Sequence, residues 1–302
     1  MTEAAVSVWQ LRWRRLARDH VALAALAVLF LLYALCFSAS WIELWLGVTG
    51  VDTDLMSRFD PIDAHHWLGA DDAGRDEFTR LLRGGQVSLS IGLFAALGSS
   101  FVGTMIGATA GYFRGRTDMV LMRFTDFMLA LPALPVLIIL AALDLTKLGF
   151  SLDFVRSGEA GYWRIVLIVT LLGWTTVARL VRAATLSLVE REFVLAARAQ
   201  GASSWRVLWV HVLPNAVTPI IVATTLRMGG VILTESALSF LGVGIQPPST
   251  SWGSMLTNAQ ELMASNPLLA VYPGAAILMA VIAINFVGDG LQSAFDPRAD
   301  PH

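Results

Sequence analysis

The run EREFVLAARAQGASSWRVLWVHVLP, from Glu190 to Pro214, holds three Arg, two Glu and one His in a chain that is 56% hydrophobic and only 15% charged. Phe193, Ala196, Ala197 and Gln200 fall at i, i+3, i+4 and i+7, one face of a helix. With Ala at two of those four positions, a backbone on that face can lie close against another surface. Gly201 is placed to end the helix in a left-handed turn. Ser203 or Ser204 can cap a second short helix through His211, and Pro214, after Leu213, stops it before the next apolar run. The chemistry on offer is recognition: two short helices presenting a small-residue face edged with Arg. Docking on a protein and lying on lipid head groups are equally open from these residues alone, because Arg-edged interfacial helices are common.

A second set of residues is conspicuous because it is costly where it stands. Arg227 and Glu235 interrupt an apolar run, as does Asp126, and charge in such a run is expected to face a bundle interior or a watery path; for Arg227, reaching the interface from near a helix end is equally open. Eight residues separate Arg227 from Glu235, ~12 Å along a helix, so each needs a partner elsewhere; Asp126 or Arg123 is the expected source. Pro132 and Pro135 in the Asp126 segment, and Gly229-Gly230 beside Arg227, are expected soft points. A third cluster, Asp71, Asp72, Gly74, Arg75, Asp76 and Glu77, reads as a charge-paired turn leading into a short interfacial helix with Phe78, Leu81 and Leu82 on one face. It either braces the helices or touches an external partner. His65-His66 beside Asp71-Asp72 lacks metal-ligand spacing. The lone Lys147 follows no phosphate-cradling loop, so this chain is not expected to bind or hydrolyse ATP. No nucleophile–base pairing marks a hydrolase. Cys36, the only cysteine, is expected to be a packing or lipid-facing residue.

The elements that position these residues are apolar. A soluble domain averages ~25% charged residues, so this composition points to a membrane protein, and the net charge of −2 gives no argument for nucleic acid. Val21–Ile42 is uncharged over 22 residues, enough to span a bilayer and longer than the core of a signal peptide, so it is expected to be retained. Gly84–Phe113, Met119–Leu143, Ile165–Val181, Asn215–Leu241 and Leu268–Gly290 follow. The expected fold is all-α: a polytopic membrane helix bundle of six transmembrane helices, both termini on one side. With the N-terminus inside, inner segments hold twelve Lys/Arg and outer loops seven, which favours N-in and C-in. The divisions expected are a cytoplasmic tail (1–20), a first transmembrane helix (21–46), an external loop with an interfacial helix (47–85), a five-helix core (86–293) and a cytoplasmic tail (294–302).

The spacing Ala196-Ala197-x3-Gly201-x9-His211-x-Leu213-Pro214 resembles the EAA motif of membrane subunits of ATP-binding-cassette importers, with Leu195 at the usual Glu and His211 at the usual Ile. HHWLGADDAGRDEFTRLLRGGQVSLSIG (His65–Gly92) is similar to a segment preceding the second span in dipeptide/oligopeptide permeases, with Ala70 where Thr is usual. RFTDFMLALPALPVL (Arg123–Leu137) and ILTESALSFLGVGIQPPSTSWGSML (Ile232–Leu256) resemble the same subfamily, and the likeness covers most of residues 65–292. The resemblance implies a second-type permease of a bacterial inner membrane. Its partners would be a homologous permease, two ATPase subunits that bind ATP and Mg, and an external substrate-binding protein. It also makes the Glu190–Pro214 loop a coupling helix seated in the ATPase. Alternating access would move a di- or oligopeptide, a nickel complex or another small solute. The rival class, an ion-coupled carrier, expects midplane carboxylates and an internal repeat; Asp126, Glu235 and Asp289 fit loosely and no repeat is evident.

Overall fold

The computed structural model describes residues 13–64, 66–156, 158–257, 263 and 266–295. His65, most of the 1–20 tail and the tail from 296 onward lie outside them, so the His65-His66 pair and the N-in, C-in expectation are untouched by the structure. The described residues are nearly all helical. Helices α1 (His20–Phe37) and α2 (Ala39–Leu46) are followed by α3 (Glu77–Phe113), α4 (Gly115–Ala130), α5 (Ala133–Ala141) and α6 (Gly158–Leu188). Then come α7 (Glu192–Ala199), α8 (Ser204–Phe240, with a π turn at Val207–Val212), α9 (Trp252–Met255) and α10 (Leu268–Phe295).

Helices α1, α3, α6, α8 and α10 are long and apolar enough to cross a membrane. The third expected span is instead two helices, α4 and α5, bent by 82° at Leu131-Pro132. Pro132 forces the residue before it out of the helical region, and Leu131 is extended at φ −70°, ψ 135°. The pair makes a sixth crossing only if the two pieces are taken together. Three other boundaries differ from expectation. The Phe78–Leu82 segment is no separate interfacial helix but the first turns of α3. The fourth span is 31 residues long, since Arg164 and Arg182 at its ends do not break it. Pro214 does not stop a helix before the fifth span: the π turn runs straight into it. Gly229-Gly230 likewise passes without a break.

Helix α3 is the centre, packed most extensively on α6 and then on α8, while α10 joins α8 to α1. The reason is a row of glycines one turn apart. A Cβ on Gly103 would come within 2.6 Å of the Trp174 carbonyl oxygen, and one on Gly111 within 2.9 Å of the Arg182 carbonyl oxygen. Gly107 meets the Ala178 carbonyl the same way. Bare backbone at these positions lets α3 and α6 approach closely, which is how helices associate where lipid offers no hydrophobic drive. Cys36 is buried against Gly85 and Trp252, a packing residue.

Candidate functional site

The loop between α6 and α8 forms a compact two-helix lobe. Helix α7 ends in a Schellman turn: Ala202 N–H donates to the Ala197 carbonyl (3.1 Å) and Gly201 N–H to that of Arg198 (3.0 Å). Gly201 sits at φ +83°, the left-handed conformation this turn requires. Ser203 caps the following helix, its Oγ accepting from Arg206 N–H at 3.4 Å. Beyond it the π turn absorbs Pro214, which has no N–H to give. Leu213 N–H reaches back to the Leu208 carbonyl, and Asn215 Nδ2 donates to the His211 carbonyl (2.6 Å). His211 is half-buried in that turn and Pro214 is exposed.

The lobe has a definite inside. Val194 and Ala197 pack with Val207, Leu208, Val212, Leu213 and Tyr112 in one apolar cluster. Arg198 lies over the Tyr112 ring at 4.8 Å, and Trp205 meets Phe113 edge-on at 5.5 Å. Ala197 therefore belongs to the inner face, not to the exposed face expected to carry it. The expected four-residue face is split because α7 needs an apolar stripe of its own, and Val194 and Ala197 at i and i+3 supply it. What faces outward is Phe193 (42% exposed), Leu195 (51%), Ala196 and Gln200. Arg191, Glu192, Arg198 and Arg206 surround them, all exposed. An apolar centre with a charged rim is the composition of a protein-docking surface. Ion pairs fasten the lobe and its neighbours to the bundle: Arg114 to Glu190 at 2.8 Å, Arg182 to both oxygens of Asp118 at 2.5 and 2.6 Å, and Arg179 to Asp126 at 2.5 Å.

That last pair overturns one expectation. Asp126 is exposed and bound to Arg179, so it partners neither Arg227 nor Glu235. Glu235 is fully buried, and its donors are hydroxyls. Ser88 of α3 donates to Oε2 (2.9 Å) and Ser239 of α8 to Oε1 (2.7 Å). Each serine oxygen in turn accepts a backbone N–H, Ser88 from Trp252 (3.1 Å) and Ser239 from Ile245 (3.0 Å). One carboxylate thus holds both ends of the Ile245–Trp252 segment through two serine relays. Trp252 adds a bond from its indole N–H to the Leu81 carbonyl (2.9 Å).

At the same end of the bundle the acidic turn is built around Asp71. Its Oδ1 accepts from the N–H groups of Ala73 (2.8 Å) and Arg75 (2.9 Å), and its Oδ2 from Arg75 Nε (2.8 Å) and Arg80. Asp76 caps α3 through Thr79 N–H (2.7 Å) and faces His66 Nδ1 (3.0 Å). Gly74, at φ +73°, lies against the Asp54 carbonyl, where any Cβ would overlap it. Arg83 grips Glu43 with two bonds (2.9 and 2.5 Å), tying α2 to α3. These groups and the Ile245–Trp252 segment border a cavity of about 480 Å³ lined by Asp71, Glu77, Arg80, Gln246, Pro248 and Thr250 among others. Sequence reasoning missed Ser88, Ser239 and Trp252 as Glu235's network, since nothing local links positions 147 residues apart. The Gly103-x3-Gly107-x3-Gly111 spacing is the signal in the sequence for the close α3–α6 contact.

A family model described as the binding-protein-dependent transport system inner membrane component matches residues 103–301, and one described as the N-terminal transmembrane domain of oligopeptide transport permease C matches residues 7–45. The chain is similar to the glutathione transport system permease protein of Pectobacterium atrosepticum, 38% identical over 96% of this chain and 91% of the relative. It is also similar to the dipeptide transport system permease protein of Alkalihalophilus pseudofirmus, 36% identical over 97% of this chain and 91% of that relative.

Proposed function

The chain belongs to the binding-protein-dependent family of inner-membrane transport components, as an importer permease of the peptide group, and from that premise we propose that it forms half of an ATP-driven path for di- or oligopeptides. The other half is a homologous permease. Two ATPase subunits engage the inner side, carrying the ATP and Mg that this chain has no loop to hold, and a substrate-binding protein delivers from outside. Termini are cytoplasmic, and alternating access moves the solute.

The observation that carries this reading is the lobe around α7. Its Val194–Ala197 side is consumed by its own chain, yet Phe193, Leu195 and Ala196 remain outward within a charged rim. An exposed apolar patch fixed on a rigid base is suited to receive another protein. Nucleotide-driven movement of that partner then reaches the bundle through α6 and α8, which flank the lobe, and through the ion pairs on α4. The relatives are named for transport of a dipeptide and of glutathione, both small peptides, which supports that substrate class.

The test is uptake of a radiolabelled dipeptide into vesicles holding this chain with its partner permease, ATPases and binding protein. Uptake should require ATP and stop with a hydrolysis-deficient ATPase. Uptake driven by an ion gradient without ATP would favour a carrier and contradict the proposal.

A further inference from the structure

Arg227 stands in α8 thirteen residues from Phe240, ~20 Å from the outer end of that helix. None of the ion pairs among the described residues includes it, and its Nε is buried without an acceptor. The carboxylates expected to partner it or share its helix are committed: Asp126 to Arg179, Glu235 to Ser88 and Ser239. Its place is nonetheless made for it. The guanidinium occupies the space where Gly173 of α6 lacks a side chain; a Cβ there would come within 2.9 Å of Nε and 2.7 Å of Ser99 Oγ.

The surroundings are hydroxyl-rich in an apolar zone. Ser99 Oγ is itself buried and unpartnered. One turn away, Thr224 Oγ1 donates to Ser100 Oγ at 2.6 Å, and Thr104 Oγ1 is a further buried oxygen without a partner. Ser100, Thr104 and Thr224 line a groove of about 760 Å³ between α3 and α8; Arg227, Ser99 and Gly173 are not among its lining residues but stand on the adjoining turns, toward α6. A cation within a spanning helix and without a counter-charge is costly, and such residues mark a substrate path or await a partner group. A cradled guanidinium edged by hydroxyls selects a planar carboxylate, which it can bind with two parallel bonds.

We propose that Arg227, with Ser99 and the room left by Gly173, is a carboxylate-binding site within the bundle. This rests on the peptide-permease reading, under which the C-terminal carboxylate of a transported peptide is the ligand. A carboxylate side chain of the apposed permease has the same chemistry, and the test separates the two sources.

The assembled complex in vesicles is given dialanine or its C-terminal amide, each at saturating concentration for the binding protein as measured separately. Dialanine should be favoured. Arg227→Gln should lower dialanine uptake by roughly ten- to a hundred-fold, the usual range for losing a hydrogen-bonded charge, and leave the amide within about two-fold of the parent. Arg227→Lys should fall between, with assembly intact. Loss of the partner permease from purified Arg227→Gln complex, restored by Arg227→Lys, assigns the carboxylate to that partner. Intact assembly with equal loss for both peptides, or with no loss, overturns the site. If the parent moves neither peptide, the substrate reading of the previous subsection fails by itself. The site is then decided by phenylglyoxal labelling of Arg227: protection by acetate supports it, and no protection with unchanged assembly overturns it.

Discussion

Replacing Gly201 tests whether the lobe around α7 is held in one shape for a partner. Its φ of +83° lies in the left-handed region, and a Cβ built there meets nothing within 4 Å. Among the described residues the whole cost of a side chain there is therefore in the backbone. For a residue with a side chain that cost is ~1–2 kcal/mol, smaller for Asn, which visits this conformation readily. Helix α7 is eight residues long, too short to be stable alone. Its anchor is the burial of Val194 and Ala197, and a buried Val contributes ~1.5–3 kcal/mol. A backbone penalty of that order shifts the local folding equilibrium of the lobe by roughly ten-fold. The expected order of ATPase recovery in pull-downs is Gly201, then Asn, then Ala, with Val last, while membrane insertion is unchanged. Hydrogen exchange over residues 192–202 should accelerate in the reverse order. Equal behaviour of Gly201→Asn and Gly201→Val in both assays would refute the backbone argument.

Other perturbations follow from the same geometry. Glu235→Gln puts an NH₂ where a carboxylate oxygen accepts from a serine hydroxyl, leaving one buried donor unmatched at about 1–3 kcal/mol; detergent-solubilised protein should melt earlier and transport should fall, and parent-like values in both would remove Glu235 from the clamp. Gly107→Leu should sharply reduce folded yield, since its side chain would have to enter the Ala178 backbone, and overpacking of milder kinds already costs ~1–3 kcal/mol; normal yield in membranes would contradict the close α3–α6 crossing. Ala197→Trp should expose the lobe to limited proteolysis even without the ATPase, because Ala197 faces its own core, whereas Leu195→Glu on the exposed side should be tolerated; the reverse pattern would invert the assignment of faces. A reporter active only outside the cytoplasm, fused after His302, should be silent if the termini are inside, and strong activity would contradict the proposed orientation.

The parts legible in the sequence were those set by local rules. Uncharged runs long enough for a bilayer marked the crossing helices, and Pro132 marked the break in the third. Gly201 and Ser203 marked the turn and cap of the lobe, because left-handed geometry and orphan N–H groups select those residue types. What escaped depended on distant partners. Glu235 was visibly out of place, but Ser88, Ser239 and the two backbone N–H groups behind them are brought to it by tertiary packing. Asp126 is matched by spacing with the wrong cation, Arg227, because helical spacing gives no view of α6, where Arg179 waits. Ala197 was put on the wrong face because an Ala suits both a close-packed interior and a close-packed interface, and only the burial of Val194 beside it decides. Pro214 was read as a stop since the rule for α-helices forbids it, while a π turn lets the helix continue.

The central claim, that the outward face of α7 receives the ATPase, is most directly tested by photo-crosslinking in the assembled complex. A photoreactive amino acid placed at Phe193, Leu195 or Ala196 in turn should give an adduct with the ATPase subunit, and one at Val194 should crosslink only within this chain. Adducts from Leu195 to lipid alone, or equal ATPase adducts from Val194, would contradict it.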